Sequence, residues 1–296
     1  MNDLSGTVAL SDGRFIAYLD GGDPSGFPIF GLHGTPGCRL SRWPDDSVYA
    51  NSGIRYITTD RAGYGQSSRH RGRGVVDEAA DLLAVANALN INRFSVVGGS
   101  GGGPHALACA AVLKDHVVKV ACQSGIAPLG EEGMNRDEWV TGMTESIAAE
   151  LTWAEAGENE LTQQMRIQQQ AMEAALNSDP SMMFGEGMSE KDVAFMLRPQ
   201  VVETFRRIVI EQARHDVWGS VDDTLAFAQP WGFKLTDIQI PVLITHGALD
   251  TSAPLTHGLW LAQHISSAEA DISETGGHMP EEPEIEIVQT LSWLRG

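Results

Sequence analysis

Apolar residues follow two alternating patterns along this chain: short β-rich runs, and longer stretches in which apolar positions recur at helical spacing. The runs fall at Pro28–Leu32, Ile54–Thr58, Phe94–Val97 and Val117–Cys122, with helix-like stretches near residues 40–51, 76–90 and 103–114. Regular alternation of this kind predicts a mostly parallel α/β sheet covered on both faces, because each parallel strand needs a crossover to return. Ahead of these runs, residues 7–10 and 15–19 flank Ser11-Asp12-Gly13-Arg14. The Asp-Gly pair there supplies a hairpin turn, which adds an antiparallel edge. The alternation lapses over residues 130–230, where long polar and helical patterns take over. It resumes with a strand at Gln239–Thr245, a helix at Pro254–Ile265, a strand at Ala268–Ser273 and a helix at Glu281–Leu294. The pattern divides the chain into a core, residues 1–129 and 231–296, and a helical insertion, residues 130–230, at a length one large domain can hold.

Composition sharpens the insertion. Of the ten methionines, all but Met1 and Met279 fall in it, together with Trp139, Trp153 and Trp218. Such side chains serve first as ordinary helix packing. They also suit the underside of a lid over an apolar pocket, which nominates Trp139, Trp153, Met182, Met183 and Phe184 as substrate-binding residues. The net charge of −19 speaks against nucleic acid or an anionic membrane as partner, since such surfaces repel an acidic protein. Cys38, Cys109 and Cys122 are odd in number and lack metal-like spacing, so neither a disulfide framework nor a cysteine zinc site is expected. No basic segment followed by an apolar one opens the chain, and no apolar run approaches the roughly 20 residues that span a bilayer. The expectation is a cytoplasmic protein acting on a small molecule, with its oligomeric state left open.

The chemistry centres on Val97-Gly98-Gly99-Ser100-Gly101-Gly102-Gly103, a serine between small residues where a β-type run meets a helix-like one. This is the pattern of a nucleophile elbow, a turn so sharp that only glycine-sized neighbours admit it. A serine hydroxyl is a weak nucleophile alone and needs a base, with an acid to orient that base. In elbow proteins the order along the chain is serine, acid, histidine, and the loops after the late strands supply Asp250 and His278. Asp271 and Glu274, near His278 in sequence, are the competing acids. The oxyanion that forms on attack needs two N–H donors. Gly101 supplies one; Pro36 has no N–H, so Thr35 supplies the other from the loop Leu32-His33-Gly34-Thr35-Pro36-Gly37. His33 reads as a residue that holds this loop by hydrogen bonds.

The turn has a rival reading, because Gly101-Gly102-Gly103-Pro104-His105-Ala106 also fits the G-x-G-x-x-A of dinucleotide-binding loops. Pro104 and His105 crowd the approach of a pyrophosphate, and the next strand ends in Gln123 with no acid for a ribose. No Lys-Ser or Lys-Thr completes a Walker-type loop, and the nine histidines form no i, i+4 pair beside a glutamate. No cofactor and no metal are called for.

Together, His33-Gly34-Thr35-Pro36-Gly37, the Asp60–Ser67 turn, the Gly98–Gly102 elbow, Gly247–Asp250 and Gly277-His278 resemble an α/β-hydrolase, in the family's order and spacing. The resemblance implies an eight-stranded, mostly parallel sheet, with residues 130–230 as a cap between the sixth and seventh strands. It gives the Asp60–Ser67 turn a structural role. The His-Gly-x-Pro-Gly loop is similar to that of prolyl iminopeptidases, but those usually carry Gly where this chain has Thr35 and Trp where it has Gly101. That departure points away from a peptidase and leaves the pocket floor open, while Ser100 in place of aspartate excludes haloalkane and epoxide chemistry. The expected activity is hydrolysis of a carboxylic ester, thioester or lactone of a small apolar metabolite. C–C bond or amide hydrolysis, aminopeptidase-like reactions included, on the same triad is the first alternative; a non-catalytic small-molecule receptor is the second.

Overall fold

In the computed structural model, residues 4–183 and 188–296 are described. Among them, eight strands form one sheet: β1 (Leu4–Ala9), β2 (Phe15–Gly22), β3 (Phe27–Leu32), β4 (Ile54–Thr59), β5 (Phe94–Gly99), β6 (Val117–Gln123), β7 (Val242–Gly247) and β8 (Ala268–Ser273). Their order is β1-β2-β4-β3-β5-β6-β7-β8. β1 and β2 form the expected antiparallel hairpin, with Gly13 at φ +87° in its turn, and β2 pairs antiparallel with β4 of the parallel remainder. β5, at the centre, is buried over Phe94–Gly98, as a strand covered on both faces must be, with its Ser95 hydroxyl donating to Leu294 O. β8 closes the far edge with Glu269 and Asp271 exposed, charges that discourage a further strand from pairing there.

Alternate residues of each strand feed opposite layers, as the pleat requires. Phe30 packs on one side with α2 (Glu78–Ala88) and α3 (Gly102–Val112). Ile29 packs on the other with α1 (Ser47–Asn51) and α11 (Pro283–Arg295). α1 is shorter than the helix predicted over 40–51, because Pro44 cannot continue a helix and pushes Trp43 out of helical geometry. α10 (Leu255–His264) connects β7 to β8. Between β6 and β7 the chain inserts α4 (Arg136–Val140), α5 (Glu145–Ala156), α6 (Glu158–Ser178), α7 (Glu190–Met196), α8 (Pro199–Gln212) and α9 (Trp218–Phe227). Cys38, Cys109 and Cys122 are buried and free. Among the described residues, no helix is long and apolar enough to cross a membrane.

Candidate active site

Ser100 leaves β5 at φ +53°, a left-handed conformation that residues other than glycine adopt sparingly. The turn is tight because β5 and α3 almost touch. A Cβ on Gly98 would collide with the Gly102 carbonyl, and one on Gly102 with that of Leu32. Main-chain hydrogen bonds from Ser100 N–H to Gln123 O (2.8 Å) and from Gly103 N–H to Ser100 O (2.9 Å) tie the turn to β6 and α3. Gly101 is the residue that opens α3, so the serine sits at the positive end of the helix dipole.

Asp250 and His278 arrive from the loops after β7 and β8, at the same carboxyl edge of the sheet as the elbow. Asp250 Oδ2 lies 2.8 Å from His278 Nδ1, so the ring bonds Asp250 and not Asp271 or Glu274. Asp250 Oδ1 accepts the N–H groups of Ser252 (2.8 Å) and Ala253 (2.9 Å), which satisfies a fully buried carboxylate. Burial works against that charge, yet the hydrogen bond and charge of His278 hold the Asp250 pKa below its ordinary value. Burial likewise opposes protonation of His278, and Asp250, helped by Asp192, still raises its pKa. With Nδ1 committed to Asp250, Nε2 is the ring atom left for chemistry.

The loop His33–Gly37 lies against the elbow: a Cβ on Gly34 would stand 3.2 Å from Ser100 Cβ. Arg61 donates to the carbonyls of His33 (2.8 Å) and Gly34 (3.2 Å), and His33 Nδ1 donates to Gly34 O at 2.8 Å while its Nε2 accepts the Arg61 N–H. His33 is therefore the loop-holding residue the sequence suggested. In a trans peptide the C=O and N–H point oppositely. Holding the Gly34 carbonyl against Arg61 thus turns the Thr35 N–H away from Arg61, and the Thr35 nitrogen lies 3.1 Å from where a Cβ on Gly101 would stand. The Thr35 hydroxyl donates to Asp223 Oδ2 at 2.5 Å. Asp223, on α9, also takes Arg61 and Arg73 (2.5 Å each) and the Tyr64 hydroxyl (2.8 Å), all buried. Sequence reading missed Asp223, since an aspartate within a helix, here beside Asp222, has no local signature that singles it out.

A family model described as alpha/beta hydrolase fold matches residues 28–282. The chain belongs to this family. A proline iminopeptidase of Xylella fastidiosa (strain Temecula1) is 26% identical, over 94% of this hydrolase and 92% of that protein. Two solved structures share its fold. The enol-lactonase of Burkholderia xenovorans LB400 is 18% identical with a TM-score of 0.70, over 98% of this chain and 99% of that one. An esterase of Exiguobacterium antarcticum is 20% identical with a TM-score of 0.70, over 99% and 100%.

Ser100 and His278 of the hydrolase open on a cavity of about 1030 Å³. Its roof comes from the insertion: Ile147, Glu150 and Leu151 on one face of α5, Met172 on α6, Met196 on α7, and Met143 and Met188 from connecting segments. Trp139 lines it too, with its indole N–H on Ala127 O at 2.8 Å. Trp153 does not, because it packs with Leu161, Met165 and Val221, sealing α5 against α6 and α9. Met182 is 72% exposed on a short 3₁₀ turn, away from the cavity. Met183 ends that turn; its side chain and all of Phe184 lie outside the described residues. The floor is not open as the sequence suggested, because the Thr35 side chain fills the space beside Gly101.

Glu150 is the unexpected group in this lining. Its partner is the Gln168 amide at 3.5 Å, and among the described residues no ion pair reaches it. Burial pushes its pKa up to about 7, against the pull of Gln168.

Proposed function

We propose that this protein is a serine hydrolase that cleaves a carboxylic ester, thioester or lactone of a small, largely apolar metabolite. The observation that carries the reading is the elbow serine at φ +53° facing the same apolar cavity as a histidine bonded to a buried aspartate at 2.8 Å. Ser100 Oγ attacks the carbonyl carbon and its proton passes to His278 Nε2. The N–H groups of Thr35 and Gly101 receive the charge on the carbonyl oxygen. Collapse expels the alcohol, thiol or enol, protonated by His278, and leaves an acyl group on Ser100. His278 then takes a proton from water, whose oxygen attacks the acyl carbon, and returns it to Ser100 Oγ as the C–O bond breaks and the acid leaves. The insertion acts as a cap, residues 130–230, and its methionines adapt to the apolar part of the substrate. A panel of p-nitrophenyl esters with wild type and Ser100→Ala tests this; equal turnover by the variant sinks it.

Glu150 favours a second reading. A half-buried cavity carboxylate with no cation beside it among the described residues suits a substrate that brings an ammonium group, which fits aminopeptidase-like amide hydrolysis and the name of the Xylella relative. Cleavage of proline p-nitroanilide faster than of any neutral ester would establish it over the first.

A further inference from the structure

α7 touches both the cavity and the base. Met196, and Met188 just before the helix, line the cavity, while Asp192 turns toward the loop that carries His278. The Asp192 carboxylate accepts the main-chain N–H of His278 on Oδ2 (3.0 Å) and that of Met279 on Oδ1 (2.9 Å). Asp192 is 3% exposed, and its own N–H is held by Ser189 Oγ at 3.0 Å. Gly277 makes the approach possible, since any Cβ there would collide with the Asp192 carboxylate. The adjacent Lys191 bonds Thr275 Oγ1 at 2.9 Å and pairs with Glu281, so neighbouring residues of α7 hold the loop on both sides of His278.

We propose that Asp192 is the positioning residue of the general base: its two main-chain hydrogen bonds fix His278 and tie that geometry to the cap helix whose Met196 lines the cavity. This rests on the reading of His278 as the base of a serine hydrolase. The two oxygens of a carboxylate match two successive N–H donors, and bonds to an ionised acceptor are the stronger kind. A seven-residue helix has little stability of its own. α7 is held instead by Phe195 and Met196 against Trp43, Phe205 and Met279, so whatever fills the cavity beside Met196 bears on Asp192 as well. The charged and titratable groups around His278 are Asp250 at Nδ1, His246 at the end of β7, and Asp192 from the cap. Asp192 adds to the attraction that raises the His278 pKa, so removing its charge lowers that pKa.

The rate at which a fluorophosphonate labels Ser100, followed between about pH 5 and 9, reads this directly without knowledge of the substrate. Asp192→Asn places an amide where one N–H requires an acceptor. We expect labelling slowed by about tenfold or more, with the acid limb moved to lower pH. Asp192→Glu keeps the charge but displaces the carboxylate, so it keeps the wild-type limb at an intermediate rate. Ser189→Ala loosens the start of α7 without touching the carboxylate and keeps the wild-type limb. A folded Asp192→Asn variant with wild-type rate and limb overturns the proposal, as does Ser189→Ala reproducing both changes. Should Asp192→Asn not fold, a wild-type rate in Asp192→Glu overturns it. Wild-type protein that never labels at Ser100 refutes the underlying hydrolase reading instead.

Discussion

Thr35 occupies the volume that a side chain at position 101 would need: a Cβ on Gly101 would lie 2.8 Å from Thr35 Cβ and closer still to its hydroxyl. The threonine and the glycine are thus one steric choice, because the residue after the nucleophile can grow only where the oxyanion loop carries no side chain. We expect Gly101→Ala to displace Thr35 and its N–H, lowering kcat/KM by about 10- to 100-fold, short of the roughly 10²–10³-fold that outright loss of one oxyanion donor costs. Thr35→Gly on that background removes the clash, keeps the N–H, and should recover much of the loss. A double-mutant cycle reads the coupling; additive effects count against it.

Asp223 draws Arg61, Arg73, Tyr64 and Thr35 together without solvent. Burial opposes its charge, but the two guanidinium groups hold its pKa well below the ordinary value. A carboxylate with a lowered folded pKa contributes stability in full above its unfolded pKa, and loses it as pH falls through that value toward the folded one. Asp223→Ala strands two buried cations, a change that costs about 3–5 kcal/mol in comparable pairs. Urea denaturation at neutral pH should show a loss of that order, shrinking in acid; a loss under about 1 kcal/mol would mean that water compensates the arginines.

The strands, the elbow turn at Ser100 and the loops that bring Asp250 to His278 were readable because each is encoded locally, in β-rich runs, glycines at forced positions and loops at strand ends. Asp192, Asp223 and Glu150 were not. Each is an acidic residue on a helix of the insertion, where the residue type alone predicts a solvated face, and only tertiary packing turns it inward. Trp153 failed in the opposite sense, since apolar bulk marks a residue for burial without saying whether its neighbours are a cavity or another helix.

Glu150 tests the cavity's chemistry through stability as well as turnover. Its folded pKa, about 7, stands above the unfolded value, so stability attached to it is full below the unfolded pKa and is lost as pH rises toward 7. Glu150→Gln removes that penalty. Its melting temperature should exceed that of wild type at pH values above about 7 and match it near pH 4. Hydrolysis of neutral esters should change by less than about threefold, while KM for an ammonium-bearing substrate rises by about tenfold or more, the loss expected when a cation in the cavity is left without its carboxylate.

The base sets the last expectation. His278 must be neutral to take the Ser100 proton, and Asp250 raises its pKa above the ordinary 6.5. The acid limb of kcat/KM should therefore lie above that value, with activity climbing as the imidazolium loses its proton. Asp250→Asn removes the charge that favours the imidazolium and also offers an amide that can select the wrong tautomer. Two consequences separate: the limb moves to lower pH, and the plateau falls by about 10³–10⁴-fold. Burial by itself would lower the His278 pKa, so a wild-type limb below 6.5 would mean that desolvation outweighs the 2.8 Å bond to Asp250. A limb above 6.5 that stays in place in Asp250→Asn would assign it to another group, with His246 at the end of β7 the nearest alternative.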